Sequence, residues 1–380
     1  MKRIFMIGIL SIVAISCTNE KNNLLGNQYG NAISLGKTNV AIPIDENTLC
    51  SYQTYSIIKT NEGELLFAYN DPMHSIDVFD LKGRAVSHIQ LETEGTNGIL
   101  KNVTGIYVCG EDSIWLYSQG LLYLIDSHGM VDKRIKLPFP TGGFPWVETN
   151  FSMATSKLFY HPTRESVFYL TVTPTKKSAD YLVYEYFIQT NSFKTYHLKG
   201  GRFEEKAGRN FGWMQFPNVT YTMDGILYNF PISSNVYKID METNKEEAFG
   251  GQSQYTLNTV SELCMPYTFQ DADKHMIENV HFFEVQYDSK SQVYYRLHLD
   301  KANYTTEIKS NILYNGKNLY LTVFDKDFKI VYENKLENKR YCYYNCWGVL
   351  NNKFFIAKDN LLDDNKDFDL FEIDLFEPVL

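Results

Sequence analysis

The stretch that most constrains this chain is Ile226-Leu-Tyr-Asn-Phe-Pro-Ile-Ser-Ser-Asn-Val-Tyr-Lys-Ile-Asp240. It reads as a short strand, a polar break holding Pro231 and two serines, and a second strand that closes on an acidic turn. The same pattern returns at residues 65–80 and, more tightly, at 114–126, with fainter copies ending at Gln189, Asp325 and Asp374. One strand pair cannot bury its own apolar faces, so copies repeated along a chain must stack on one another to make a core.

Each copy is preceded and followed by an alternating strand, through tight turns such as Asn61-Glu-Gly63, Leu81-Lys-Gly83 and Ser127-His-Gly129. The units fall at residues 51–91, 102–137, 146–198, 219–249 and 279–336, the third and fifth with longer central loops at 173–180 and 300–317. Four antiparallel strands per unit, repeated in series, is the pattern of a β-propeller blade. A sixth unit at 343–374 has only three strands, while a spare strand lies at 32–35 or 40–45. Seating that N-terminal strand as the outer strand of the last blade would close the ring and remove an exposed sheet edge. The expected fold is therefore all-β, a six-bladed β-propeller; a seventh blade would need strands inside 300–317. The 28 Tyr and 25 Phe fit this reading, and no stretch has a convincing helical period.

The N-terminus reads as a targeting segment. Met1-Lys2-Arg3 is basic, Ile4 to Ile15 is apolar but too short for a stable span, and Ala14-Ile15-Ser16-Cys17 resembles a bacterial lipobox. Cys17 is then the lipidated first residue of the mature chain, and two or more acyl chains would make attachment durable. The domain reading is a signal peptide at 1–16, a lipidated polar tether at 17–31 and one propeller at 32–380. Thr18 in place of Asp after the lipidated cysteine resembles the outer-membrane sorting pattern, so the expected location is the cell envelope at the outer membrane. Loss of Lys2 and Arg3 takes the net charge from −9 to −11, which argues against nucleic acid and anionic membrane surfaces as partners. The expected contact with membrane is through the lipid alone, and the expected state is a monomer.

Five cysteines remain after Cys17, so at least one thiol is unpaired within the chain. Cys342 and Cys346, if on a strand, would stand ~13 Å apart at ~3.3 Å per residue and could neither bridge nor chelate together. The eight histidines include no HExxH, and His275 and His281 read as incidental. Asp359, Asp363, Asp364 and Asp367 lack the spacing of a calcium loop and read as solvated. No nucleophile elbow, phosphate loop or dinucleotide fingerprint is present, so neither a catalytic residue, a metal ligand set nor a cofactor is assigned.

Antiparallel order places the loops between second and third strands on one face with the loops that lead to the next blade. That face would gather Asp71, His74, Phe144, Trp146, Lys176, Lys177, Arg202, Arg209, Phe211, Trp213, Pro231, Ser233 and Ser234. The richest stretch is Gly200-Gly-Arg-Phe-Glu-Glu-Lys-Ala-Gly-Arg-Asn-Phe-Gly-Trp213. Aromatic rings can serve as platforms for sugar rings or peptide side chains, and arginines can take carboxylates. His74, Trp146, Arg202, Arg209 and Trp213 are the candidate ligand-binding residues. The other use of Trp146 and Trp213 is to plug the central channel, with the arginines solvated.

Phe230 to Asp240, Tyr294-Tyr-Arg-Leu-His298, Phe328-Lys-Ile-Val-Tyr-Glu333 and the lipobox together resemble the lipoproteins of anaerobic Gram-negative gut bacteria grouped as domain of unknown function 4221. The resemblance covers nearly the whole mature chain and implies a propeller-like lipoprotein with no assigned activity. The leading functional expectation is a lipid-anchored binding or interaction module for a glycan, a peptide or an envelope protein. The alternative is a metal-dependent propeller hydrolase or lyase acting on a glycan or lactone, with Asp71, Asn102, Glu148 and Asn229 as available oxygen ligands.

Overall fold

The structure is a computed structural model that describes residues 24–61, 63–139, 143–145, 158–174, 179–200, 209–350 and 352–379. Six antiparallel sheets follow one another along the chain. Blade 1 runs Tyr55–Lys59, Glu64–Asn70, Ser75–Asp80 and Arg84–Gln90. Blade 2 runs Gly105–Gly110, Ser113–Ser118, Leu121–Ile125 and Val131–Lys136. Blade 4 runs Asn218–Tyr221, Gly225–Asn229, Val236–Asp240 and Glu246–Phe249. Blade 5 runs His281–Asp288, Val293–Leu299, Leu319–Phe324 and Ile330–Lys335. In each, the second strand is largely buried between neighbouring blades and the fourth is the most exposed, although Ile330, Val331 and Glu333 of the fourth strand of blade 5 are buried.

Blade 3 departs from the expected boundaries. Its inner position is filled in two pieces, Phe144–Pro145 and Phe159–His161, both paired with Ser166–Pro174. That strand continues to Pro174 and its partner starts at Ala179, so the central loop is shorter than the 173–180 expectation. Ser192–His197 completes the sheet.

Blade 6 has three strands from the C-terminal part of the chain, Trp347–Leu350, Lys353–Ala357 and Leu370–Val379. The fourth is Ser34–Pro43, paired antiparallel from Ser34 opposite Val379 to Pro43 opposite Leu370. The expected closure is what the chain does, with one ten-residue strand that overlaps part of both candidate stretches.

Among the described residues, two short α-helices that sequence periodicity did not show interrupt this all-β fold. The first, α1 (Phe269–Glu278), opens on a capping box: Thr268 Oγ1 accepts from Asp271 N at 3.1 Å and Asp271 Oδ2 accepts from Thr268 N at 2.9 Å. The second, α2 (Ser310–Asn315), lies in the 300–317 connection and excludes a seventh blade there. Both are too short for their period to stand out in sequence. Cys342 and Cys346 are also not on a strand; they sit, buried and unpaired, in the connection that precedes Trp347.

Residues 25–31, expected within the tether, lie against the ring together with Ile33. Gly30 N donates to Ile330 O and Ile33 N to Val331 O, both at 3.0 Å, along the outer strand of blade 5. Gly250 makes room for the segment, since a Cβ there would stand 2.4 Å from Gly26 O. Gly251 does the same for Arg296: a Cβ would meet Ser234 O at 2.6 Å and the guanidinium at 2.8 Å. The paired glycines thus let two other chain segments approach the end of blade 4.

The two faces differ in build. One carries short turns such as 81–83, 222–224 and 325–329; the other carries the long connections 250–280, 300–318, 336–346 and 358–369 together with both helices.

Candidate functional site

The loop-rich face is the candidate site, and its most built part joins the connection before blade 4 to the one before blade 5. Arg209–Asn210 pairs antiparallel with Leu263–Cys264. Asn210 Oδ1 accepts from Gly212 N at 3.0 Å, and Gly212 adopts φ +56°, a conformation side chains disfavour. A 3-10 turn, Gly212–Gln215, follows. Phe211 and Met214 on either side are buried in the core of blades 3 and 4. That anchoring leaves Trp213 half-buried at the surface, with its ring stacked on Phe269 at 5.8 Å between centroids and 13° between planes. Phe269 is the first residue of α1 and is 78% exposed. The pair forms a flat aromatic surface of the kind that takes sugar C–H faces or apolar peptide side chains.

The other expected residues are placed differently. His74 is buried: Tyr69 Oη donates to its Nδ1 at 2.9 Å, and its Nε2 donates to Ile99 O at 3.0 Å. Burial holds its pKa below the usual histidine value, so the ring is neutral and ties the blade 1 turn to the connection toward blade 2. Asp71 is exposed on that same turn. Trp146, Lys176, Lys177, Arg202, Glu148 and Cys17 lie outside the described residues, as do the side chains of Phe144 and Arg209. Of the five candidates, Trp213 is the one whose side chain is described on the open surface.

The polar break of the repeat in blade 4 is not open to ligand. Ser234 N donates to Asn258 O at 3.1 Å and Val260 N to Ile232 O at 3.0 Å, so residues 250–261 fold over it. Phe282 N donates to Pro231 O at 3.1 Å beneath. Asp359 likewise is not solvated; it is buried among Lys366, Ser51 and Asn345, which all hydrogen-bond to it. His275 donates to Ser261 O at 2.5 Å and His281 Nδ1 meets Tyr314 Oη at 2.6 Å, so the two histidines serve separate contacts.

Of the oxygen ligands considered for a metal hydrolase, Glu148 lies outside the described residues, and Asp71 and Asn229 lie apart. Asp71 is on blade 1, and Asn229 is buried in blade 4, across the ring, with its Nδ2 donating to Phe282 O at 3.4 Å. Among the described residues no three His, Cys, Asp or Glu side chains gather closely enough to hold a metal ion. A cavity of about 260 Å³ opens on the short-turn face, where Glu64 and Asp288 sit with Lys59 and Lys290.

Sequence reasoning missed Phe269. The signal for it was the Thr268-Phe-Gln-Asp271 cap, which marks a helix start and therefore an exposed first-turn residue.

A model of the family described as domain of unknown function (DUF4221) matches residues 33–335. No curated protein matches the sequence. A solved structure of a DUF4221 family member from Bacteroides vulgatus superposes with a TM-score of 0.77 at 18% identity, covering 92% of this chain and 99% of that one. A Bacteroides fragilis protein named for its expected export superposes at 0.53 and 12% identity, covering 92% and 97%. At these identities the likeness is one of fold. No helix among the described residues is long and apolar enough to cross a membrane.

Proposed function

Because the chain belongs to the family described as domain of unknown function 4221, whose solved member shares its six-bladed propeller, we propose that it is a binding module of the cell envelope, anchored through lipid on Cys17, that takes a glycan or peptide on its loop-rich face. The observation that carries this reading is the ring pair of the half-buried Trp213 and the 78% exposed Phe269, with Phe211 and Met214 beside Trp213 anchored in the core. An exposed aromatic surface on a buried anchor is costly to keep in water unless a partner covers it. Binding residues also concentrate on loops set by a rigid scaffold. The backbone of Arg209 pairs with Cys264 beside this site. The lipobox and the export implied by the Bacteroides fragilis relative's name support an envelope location.

The test is binding of the mature chain to glycan arrays and peptide panels, followed by titration calorimetry on any hit. Trp213→Ala together with Phe269→Ala removes binding under this reading; a hit whose affinity survives the pair refutes the site.

A further inference from the structure

The N-terminal segment fixes where the propeller meets its tether. Leu25 N donates to Asn235 Oδ1 at 3.1 Å. Asn27 and Gln252 exchange two bonds, Nδ2 to the Gln252 carbonyl and Gln252 N to Oδ1, both at 2.6 Å. Asn235 precedes the third strand of blade 4 and Gln252 follows the fourth, both at the loop-rich end. The chain therefore reaches the ring at the rim of that face, beside the connection from blade 4 to blade 5.

That connection has an unusual surface. Residues 248–261 contain no Asp, Glu, Lys or Arg in a chain that is 21% charged, and Glu262 is the only charge before Asp271. Tyr255 and Leu257 are each 52% exposed and Met265 is 49% exposed. Tyr255 is not loose; its ring stacks on Tyr320 at 5.7 Å.

We propose that residues 250–265 form a membrane-contact surface, with Tyr255, Leu257 and Met265 resting in the interfacial layer of the bilayer that holds the Cys17 lipid. The inference rests on the lipid-anchor reading above. Six residues, 18–23, separate Cys17 from Leu24. At most ~3.3–3.6 Å each, they span ~20 Å, so the exit point stays close to the lipid surface. A short tether of this kind holds the neighbouring surface at high effective concentration over the bilayer. Tyrosine and leucine suit the headgroup–acyl boundary, and the charge-free run 248–261, with the exposed Glu262 as the one charge in the surface, limits the repulsion that the chain's acidity would otherwise meet there. A ligand of Trp213 and Phe269 is then one presented close to the membrane.

The chain carries its own reporters. Cys264 is an exposed thiol on this connection, and Cys109 is an exposed thiol on the short-turn face of blade 2. The mass of the mature N-terminus, read first, reports the anchor by itself. The full mature chain is then placed on phosphatidylethanolamine–phosphatidylglycerol vesicles, through its own lipid or, if no acyl group is found, through an N-terminal hexahistidine and a nickel-chelating lipid. Labelling by a charged maleimide is compared on and off the vesicles. Contact predicts a slowing of about tenfold at Cys264 with Cys109 nearly unchanged, and recovery at Cys264 in Leu257→Asp. Equal rates on and off the vesicles overturn the proposal, and so does protection of Cys264 that appears only in native envelopes, which would assign the surface to a protein.

Discussion

Lys37 Nζ lies 3.0 Å from Asp374 Oδ2, joining the first strand of the ring to the last. Tyr341 Oη donates to the same oxygen at 2.6 Å, and Asn39 Nδ2 donates to the other at 3.0 Å. The carboxylate is buried while the Lys37 side chain is partly exposed, so the seam that closes the propeller holds a backbone ladder and a half-buried ion pair side by side. A buried charge that keeps all its partners is tolerated; one that loses them is not.

Asp374→Asn should therefore weaken the seam by on the order of 2–3 kcal/mol at neutral pH, read by urea unfolding. Burial alone would raise the Asp374 pKa, but hydrogen bonds from Tyr341, Lys37 and Asn39 outweigh it and hold the group below the usual carboxylate range. A depressed folded pKa gives stability that is present above the unfolded value, about 3.9, and lost as pH falls through the folded one. The wild-type chain should lose stability on acidification below about pH 4 more steeply than Asp374→Asn. Parallel acid limbs would refute the assignment.

Lys317 predicts a slope of the same sign in a higher pH window. Its ammonium is buried, donating to Met276 O at 3.0 Å and Asn279 O at 2.7 Å at the end of α1, and desolvation pulls its pKa down to about 7. Between there and the model-peptide value of about 10.4 the unfolded chain binds a proton that the folded chain does not, so stability rises with pH across this window. Tm measured from pH 7 to 9, below the onset of tyrosine ionisation, should climb in the wild type and stay flatter in Lys317→Met. An identical rise in both would place the titration elsewhere.

Arg296 locks blade 5 to blade 4. Its guanidinium is fully buried, donates to Ser234 O at 2.7 Å and to Gly251 O, and lies over the rings of Phe282 and Phe324 at 4.7 and 5.3 Å. Arg296→Ala leaves those carbonyls bare and a void between the rings, so a loss of about 3–5 kcal/mol in chemical denaturation is expected. Arg296→Met, which refills the volume, should cost less. Equal losses would mean that the hydrogen bonds, and not the packing, carry the contact.

Phe269→Ala removes a ring that is mostly in water, so its effect on Tm should be small, within about 0.5 kcal/mol of wild type. Ligand binding, once a ligand is found, should fall by at least about tenfold, since aromatic anchors dominate such contacts. A variant that loses Tm and affinity together would mark the ring as structural.

The strands were legible because their period is local. Leu66, Ala68, Ile76, Val78, Ile114 and Leu116 alternate with neighbours facing the other way, and each choice depends on residues two apart. The helices were not legible: α1 buries only Ala272, His275 and Ile277, too few positions to declare a period. At the site, Trp213 stood out by its residue type and its connection, but its partner Phe269 lies in the next connection along the chain. His74 stood out equally and proved to be an internal tie, since nothing local to Asp71-Pro-Met-His74 announces that the Ile99 carbonyl will accept its hydrogen bond.

The structure settled six blades by placing α2 in the 300–317 connection; by itself, the sequence determined the antiparallel order within each blade and the use of an N-terminal strand to close the last. These follow from side-chain alternation and turn chemistry, which act over a few residues. Only the tertiary structure decided which connections fold over one another. Asn210 meets Leu263, Ser234 meets Asn258 and Leu25 meets Asn235 because the ring brings the ends of blades 3, 4 and 5 side by side. Each such pairing satisfies buried backbone groups with a partner far away in the chain, and no local pattern encodes a partner that only the closed ring supplies.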